Sequence, residues 1–401
     1  MANSLEQERL VTNYSGRLFL TISFGWLLCQ MGRGLLPPLL PNIIDDLAIT
    51  STKAGFAVTL MWGIYALGQF PSGRLSDLLS RKTLLVVGLG FLAIGFFTIS
   101  GTISYPMLLG GASIIGVGAG LYPSAARALV SDLFVERRGQ AFGLHTASGD
   151  LGNATAAGLA VAAVAVATWQ KAFLPLVVLS CGTLLAVHLW NRERYVFKTA
   201  PLKIRSTFWR FFEDDHLRRL LISYSLFAFT WQSTAGFLPT FLQFEKGFSV
   251  GLASTAFAFV FIIGTLIKPV SGYAGDTFGR VKIGIGSLLL GMSGIVSVLV
   301  FESTLLIFIG IGIFAFGLMA YPPVMQAFVM DVFPDESMGG DLGAMRTMYI
   351  GIGSLGPTYV GYVASVRTYS IAFSGLVLCL LASAVILLTA TLGSAKSEVG
   401  A

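Results

Sequence analysis

Twelve apolar stretches, each about 20 residues long, dominate what this chain can fold into. They run roughly over 18–40, 54–73, 83–101, 106–130, 140–167, 170–190, 220–242, 251–274, 281–300, 304–330, 342–366 and 369–392. At about 1.5 Å per residue, each is long enough to cross a bilayer as a helix. In lipid, every backbone N–H and C=O must find its partner inside the protein, so only helices and closed barrels span. Barrel strands are about ten residues long and alternate in polarity; these runs are longer and continuously apolar. The chain therefore reads as an all-α membrane protein of twelve transmembrane helices. Composition agrees: 55% of residues are hydrophobic and 11% charged, with mean hydropathy +0.78, against about 25% charged in soluble domains. A soluble enzyme, a disordered chain and a nucleic-acid binder are excluded. Cys29, Cys181 and Cys379 lie far apart in apolar runs and suggest neither a metal site nor a disulfide framework. No cofactor is expected.

The basic residues set the orientation. Of the 26 Lys and Arg, 18 fall on the N-terminal side of the membrane and 4 on the other (Lys53, Lys171, Lys246, Arg367). The remaining 4 lie within spans (Arg33, Arg127, Lys268, Arg346). The positive-inside rule then places both termini in the cytoplasm. The N-terminal stretch Met1 to Arg17 shows no cleavable signal pattern, so the first run stays as a span. The expected location is a cell membrane, plasma or inner, crossed many times. Residues 191–219 form the longest polar stretch and separate six spans from six. The expected organisation is a bundle over 1–190, a cytoplasmic central loop over 191–219 and a second bundle over 220–401. Trp209, Phe211 and Phe212 within the loop suggest an amphipathic segment on the inner membrane face.

The two halves repeat. Gly73-Arg-Leu-Ser-Asp77-Leu-Leu-Ser80-Arg81-Lys82 follows the second span, and Gly272-Tyr-Ala-Gly-Asp276-Thr-Phe-Gly279-Arg280-Val-Lys282 follows the eighth. Asp77 and Asp276, Tyr122 and Tyr321, and Asp132 and Asp331 are each separated by 199 residues. A single offset held across three features marks an internal duplication, common among secondary transporters.

Twelve spans in two halves, with a loop of the G-x-x-x-D-x-x-G-R-[KR] type after the second span and its copy after the eighth, where Val281 precedes Lys282, resemble the major facilitator superfamily over nearly the whole chain. The first copy departs by placing Ser80 where the family has Gly. The resemblance implies two pseudo-symmetric six-helix bundles around a central cavity lined by spans one, four, seven and ten. It also implies gating roles for Gly73, Asp77, Arg81, Lys82, Asp132, Gly272, Asp276, Arg280, Asp331 and Arg346. The two glycines would allow close helix approach, and Arg81 and Lys82 would sit among lipid head groups. Arg81 would pair with Asp132, and Asp77 would face the start of span eleven, near Met345. The drug-antiporter signatures of the family are incomplete: Ala112 replaces the span-four Arg, and span five has no Gly-Pro pair.

An ionisable group at membrane depth costs on the order of 3 kcal/mol, so each one is a functional candidate. Arg33 and Asp150 fall nearest mid-membrane. Arg33 offers a planar fork suited to carboxylate, nitrate or phosphate, and the flanking Gly32 and Gly34 are expected to leave room beside it. A structural ion pair with Asp150 is the alternative. Asp150, with His145 one and a half turns away, is the candidate for proton coupling; a helix–helix polar contact is the alternative. Gln30, Tyr65, Gln69, Tyr122, Trp231, Gln232, Tyr321 and Gln326 complete the substrate-site sketch. The hydroxyls of Tyr122 and Tyr321 are expected to face each other across the pseudo-two-fold axis.

The resulting expectation is a monomeric secondary transporter, not an enzyme, working by alternating access. Its partners would be a small-molecule substrate, the lipid bilayer and a coupling proton; nucleic acid is not among them. The excess of positive groups in the spans favours a small organic or inorganic anion. Proton-driven efflux of amphipathic or drug-like compounds is one alternative, and a non-transporting receptor or scaffold of the same fold is another.

Overall fold

In a computed structural model, which describes residues 10–196, 204–333 and 338–399, the apolar runs fold as helices that extend past their apolar cores. The first six spans are α1 (Asn13–Asp46), α2 (Ser51–Leu78), α3 (Arg81–Ser100), α4 (Tyr105–Leu133), α5 (Arg138–Val166) and α6 (Leu174–Trp190), the last entered through a 3-10 turn at Trp169–Phe173. A short helix, α7 (Ile204–Glu213), follows. Then come α8 (Asp215–Phe244), α9 (Val250–Phe278), α10 (Arg280–Val300) and α11 (Thr304–Val332). The last two spans are α12 with α13 (Met338–Gly353 and Gly356–Val366), and α14 (Tyr369–Val399). Among the described residues, nine of these helices are long and apolar enough to cross a membrane.

Run eleven, expected as one span, is broken into α12 and α13 around Ser354 and Leu355. Pro357 falls in the first turn of α13, where its missing N–H would be unpaired in any case, and it has no N–H to donate back across the break.

The chain divides into two units. The first comprises residues 1–47 and 60–202, the second residues 48–59 and 203–401. Within the first, α1 packs on α5, α3 on α4 and α3 on α6. Within the second, α8 packs on α12 and α13, α10 on α11 and α10 on α14. These are equivalent pairings, so the sequence duplication is also a packing duplication. Small residues set the spacing, as in membrane helix pairs generally. On α5, a Cβ at Gly152 would come within 2.3 Å of the Leu27 carbonyl oxygen of α1.

The repeated loops close differently. Gly279 adopts φ +98°, a region that favours glycine. Ser80 instead sits at φ −66° and caps α3, accepting from the Thr83 N–H. The departure from the family pattern at Ser80 therefore replaces a glycine turn with an N-cap.

Lys82 does not lie among lipid head groups. It is buried, with its Nζ 2.8 Å from the Asn191 carbonyl oxygen and over the Tyr195 ring. The Lys82 N–H donates to Glu193 at 3.0 Å, and the Val196 N–H donates to the Thr83 hydroxyl at 3.3 Å. These contacts strap residues 191–196 across the start of α3, which is why the lysine is drawn inward. Gly272 is a further correction: a Cβ there would meet nothing within 4 Å, so no close helix approach depends on it. The surroundings of Gly73 and of the Asp77 side chain lie outside the described residues.

The charged segment after the first unit is partly helical, and α7 is firmly anchored to the second unit. Phe211 is fully buried with its ring edge-on to Phe333 at 5.8 Å, and Arg210 Nη2 lies 2.8 Å from Asp341 Oδ2 at the first turn of α12. Trp209 and Phe212 remain exposed.

Candidate substrate-binding site

Among the described residues of the first unit, one buried guanidinium stands in an aromatic setting. Arg33 lies on α1 and is 5% exposed. Its Cζ is 4.2 Å from the Tyr65 ring centroid, 4.5 Å from that of Trp62 and 6.0 Å from that of Trp26. Helical spacing produces this setting. Trp62 and Tyr65 are neighbours one turn apart on α2, and Trp26 lies two turns before Arg33 on α1. Such cation–π contacts, once desolvated, contribute about 2 kcal/mol. Nη2 donates to Gln30 Oε1, one turn back on the same helix. Nε and Nη1 are buried and have no hydrogen-bond partner.

The expected alternative, an Arg33–Asp150 ion pair, does not form; among the described residues Arg33 pairs with no carboxylate. Burying a guanidinium without a counter-ion is costly, so its aromatic neighbours and Gln30 carry the compensation. Gly32 and Gly34 do not make room for the guanidinium. A Cβ at Gly32 would collide with the Phe96 ring, and one at Gly34 with Asn153 Oδ1. They admit neighbouring helices instead.

His145 and Asp150 are both buried on α5. They do not form a direct relay. The His145 ring is 3.2 Å from the Ser23 hydroxyl and stacks on Trp26 at 5.9 Å. Trp26 is thus shared between the histidine and Arg33. Asn153 donates to the Gly149 carbonyl oxygen of its own helix.

The remaining sketch residues separate. Tyr65 and Gln69 are buried on α2. Tyr122 and Tyr321 are each fully buried among residues of their own unit. Tyr122 donates to the Ile22 carbonyl oxygen at 2.8 Å and lies against Gly25. Tyr321 packs on Phe227 at 4.4 Å and Tyr224 at 5.3 Å. Gln232 is buried and donates to the Ile350 carbonyl oxygen at 3.1 Å, Trp231 packs edge-on to Phe261, and Gln326 is exposed. Trp26 and Trp62 were not expected at the site. Only Trp26 shares a helix with Arg33, two turns away; Trp62 lies on α2, and no spacing in the sequence links it to Arg33.

Ion pairs close both repeated loops. Arg81 Nε lies 3.3 Å from Asp132 Oδ2, as the resemblance implies. Arg280 pairs with Asp331 and, at 3.1 Å, with Asp276. Arg346 is half-buried on α12, five residues beyond Asp341. Among the described residues, no group of three or more His, Cys, Asp or Glu is placed to hold a metal ion.

Helical bundles of this pairing, duplicated within one chain and carrying an intramembrane charge, define a multi-pass membrane transporter rather than an enzyme. The profile of the Major Facilitator Superfamily matches residues 22–357 and 220–399, and the chain belongs to that family. It is 24% identical to the "Hexuronate transporter" of Bacillus subtilis (strain 168) over 371 residues, covering 83% of this chain and 84% of that one. It is 23% identical to the "Probable sulfoacetate transporter SauU" of Cupriavidus necator, covering 60% of this chain and 58% of that one. It is 21% identical to the "Probable nitrate transporter NarT" of Staphylococcus aureus (strain Newman), covering 66% of this chain and 69% of that one. The fold is that of a bacterial homologue of the human lysosomal transporter Spinster in an inward-facing, occupied conformation. The TM-score is 0.83 at 15% identity, covering 95% of this chain and 97% of that one.

Proposed function

We propose that this transporter carries a small organic or inorganic anion and that Arg33 binds it. The observation that carries the reading is the buried guanidinium whose Nε and Nη1 have no protein acceptor. A planar donor fork is matched by the paired oxygens of a carboxylate, sulfonate or nitrate. Three relatives bear names that specify anions, a hexuronate, sulfoacetate and nitrate. Asp150 is assigned the coupling proton, since an ionisable residue at membrane depth marks a transport or proton path. The Arg81–Asp132 and Arg280–Asp331 pairs are assigned to gating, as contacts that bias one state of the alternating-access cycle. The N-terminus is assigned to the cytoplasm of a cell membrane.

Binding to purified protein, measured by melting-temperature shift with glucuronate, sulfoacetate, nitrate and the cationic amphipath tetraphenylphosphonium, tests the substrate class. Stabilisation by one or more of the anions, abolished in Arg33→Gln, supports the reading. Stabilisation by the cationic amphipath alone, unaffected by Arg33→Gln, overturns it in favour of efflux.

A further inference from the structure

A second basic cluster lies far from Arg33, where α1 begins and α6 ends. Asn13, Tyr14, Arg17, Leu189, Trp190 and Arg192 line a cleft of about 450 Å³. The cleft is built, not incidental. The Arg192 N–H donates to the Tyr14 hydroxyl at 3.2 Å, and the Arg192 guanidinium lies 4.6 Å from the Tyr14 ring centroid. These contacts hold the basic residue that follows α6 against the first turn of α1. The strap through Asn191 and Glu193 fixes the backbone on either side.

Among the described residues, the lining carries two guanidinium groups and no carboxylate. Glu193, the nearest acid in sequence, is engaged with the Lys82 N–H. Among the described residues, neither Arg17 nor Arg192 forms an ion pair. The several oxygens of one phosphate can engage two guanidinium forks at once. Apolar surface borders the charge: Leu20, Leu189 and Trp190 are 46%, 65% and 50% exposed. Exposed Trp and Tyr beside basic residues at a span's end mark the head-group level. A free phosphate has no use for that apolar border, whereas a lipid chain does.

We propose that this cleft binds the phosphate head group of an anionic phospholipid, with its acyl chains along Leu20, Leu189 and Trp190. Full-length protein in detergent is given equimolar phosphatidylglycerol and phosphatidylcholine of matched chains, and retained lipid is counted by native mass spectrometry. Phosphatidylglycerol is expected to be retained in preference. Arg17→Gln with Arg192→Gln should weaken that retention about thirtyfold, and either substitution alone about fivefold. The melting temperature of each variant in lipid-free detergent identifies any that fails to fold, and the single variants keep the test open if the double one does. Inorganic phosphate is the competitor arm. Displacement of phosphatidylglycerol by millimolar phosphate would reassign the cleft to a soluble anion and overturn the lipid proposal. Equal retention of the two lipids, or unchanged preference in the folded variants, would overturn it as well.

Discussion

At Arg33, a lysine substitution separates charge from shape. Lysine keeps the positive charge but loses the planar fork and its aromatic stacking. Arg33→Lys should weaken anion binding tenfold or more, since hydrogen bonds to a charged group contribute about 1.5–3 kcal/mol. Equal affinity in equilibrium binding would show that only the charge matters. Trp62→Ala should cost up to about thirtyfold in affinity through the lost cation–π contact, about 2 kcal/mol. Asp150→Asn should preserve substrate exchange in proteoliposomes while abolishing uptake driven by a pH gradient. Because Arg33 forms no pair with Asp150, combining Arg33→Gln with Asp150→Asn should rescue neither defect; recovery of transport would refute that independence. Arg33 was legible in the sequence because a charge inside an apolar run stands out. Trp26 and Trp62 were not, because their contacts depend on how helices rotate and pack. Gly32 and Gly34 were misread for the same reason: the space beside a glycine belongs to whichever helix arrives there.

Between elements, glycines on one helix differ sharply in consequence. A Cβ at Gly149 would come within 2.3 Å of the Trp26 indole nitrogen, whereas at Gly143 it would meet nothing within 4 Å. Gly149→Ala should therefore destabilise by about 1–3 kcal/mol through overpacking, lower the melting temperature and disturb the Arg33 neighbourhood through Trp26. Gly143→Ala should leave both unchanged. Equal melting curves for the two variants would contradict the α1–α5 packing. A double-mutant cycle on Arg210 and Asp341 should give a coupling energy of about 0.5–3 kcal/mol, measured on the folded protein, because Asp341 is buried at this contact. A coupling near zero would mean that this ion pair does not hold α7. The helices themselves were legible from apolar length, and the amphipathic α7 from aromatics spaced among charges. The break in run eleven was visible only as Gly356-Pro357, a signal that also occurs in unbroken membrane helices.

For the whole molecule, the duplicated ion pair is the clearest record of how the chain arose. Arg81 and Asp132 are separated by 51 residues, as are Arg280 and Asp331. Topology provides the prediction at this scale. With Cys181 and Cys379 replaced by serine, Ala48→Cys should react with a membrane-impermeant thiol reagent added outside intact cells, and Glu136→Cys should react only after lysis. The opposite pattern would invert the proposed orientation. The strap over α3 has a further consequence, a limit on chain reach. Residues 191–219 look in the sequence like a long, loose tether, but everything up to Val196 is fastened to the first unit and everything from Ile204 belongs to a helix of the second. Seven residues remain between them. Fully extended, they can separate Val196 from Ile204 by no more than about 28 Å. Any rearrangement during transport must stay within that leash or first undo the hydrogen bonds of Lys82 and Thr83.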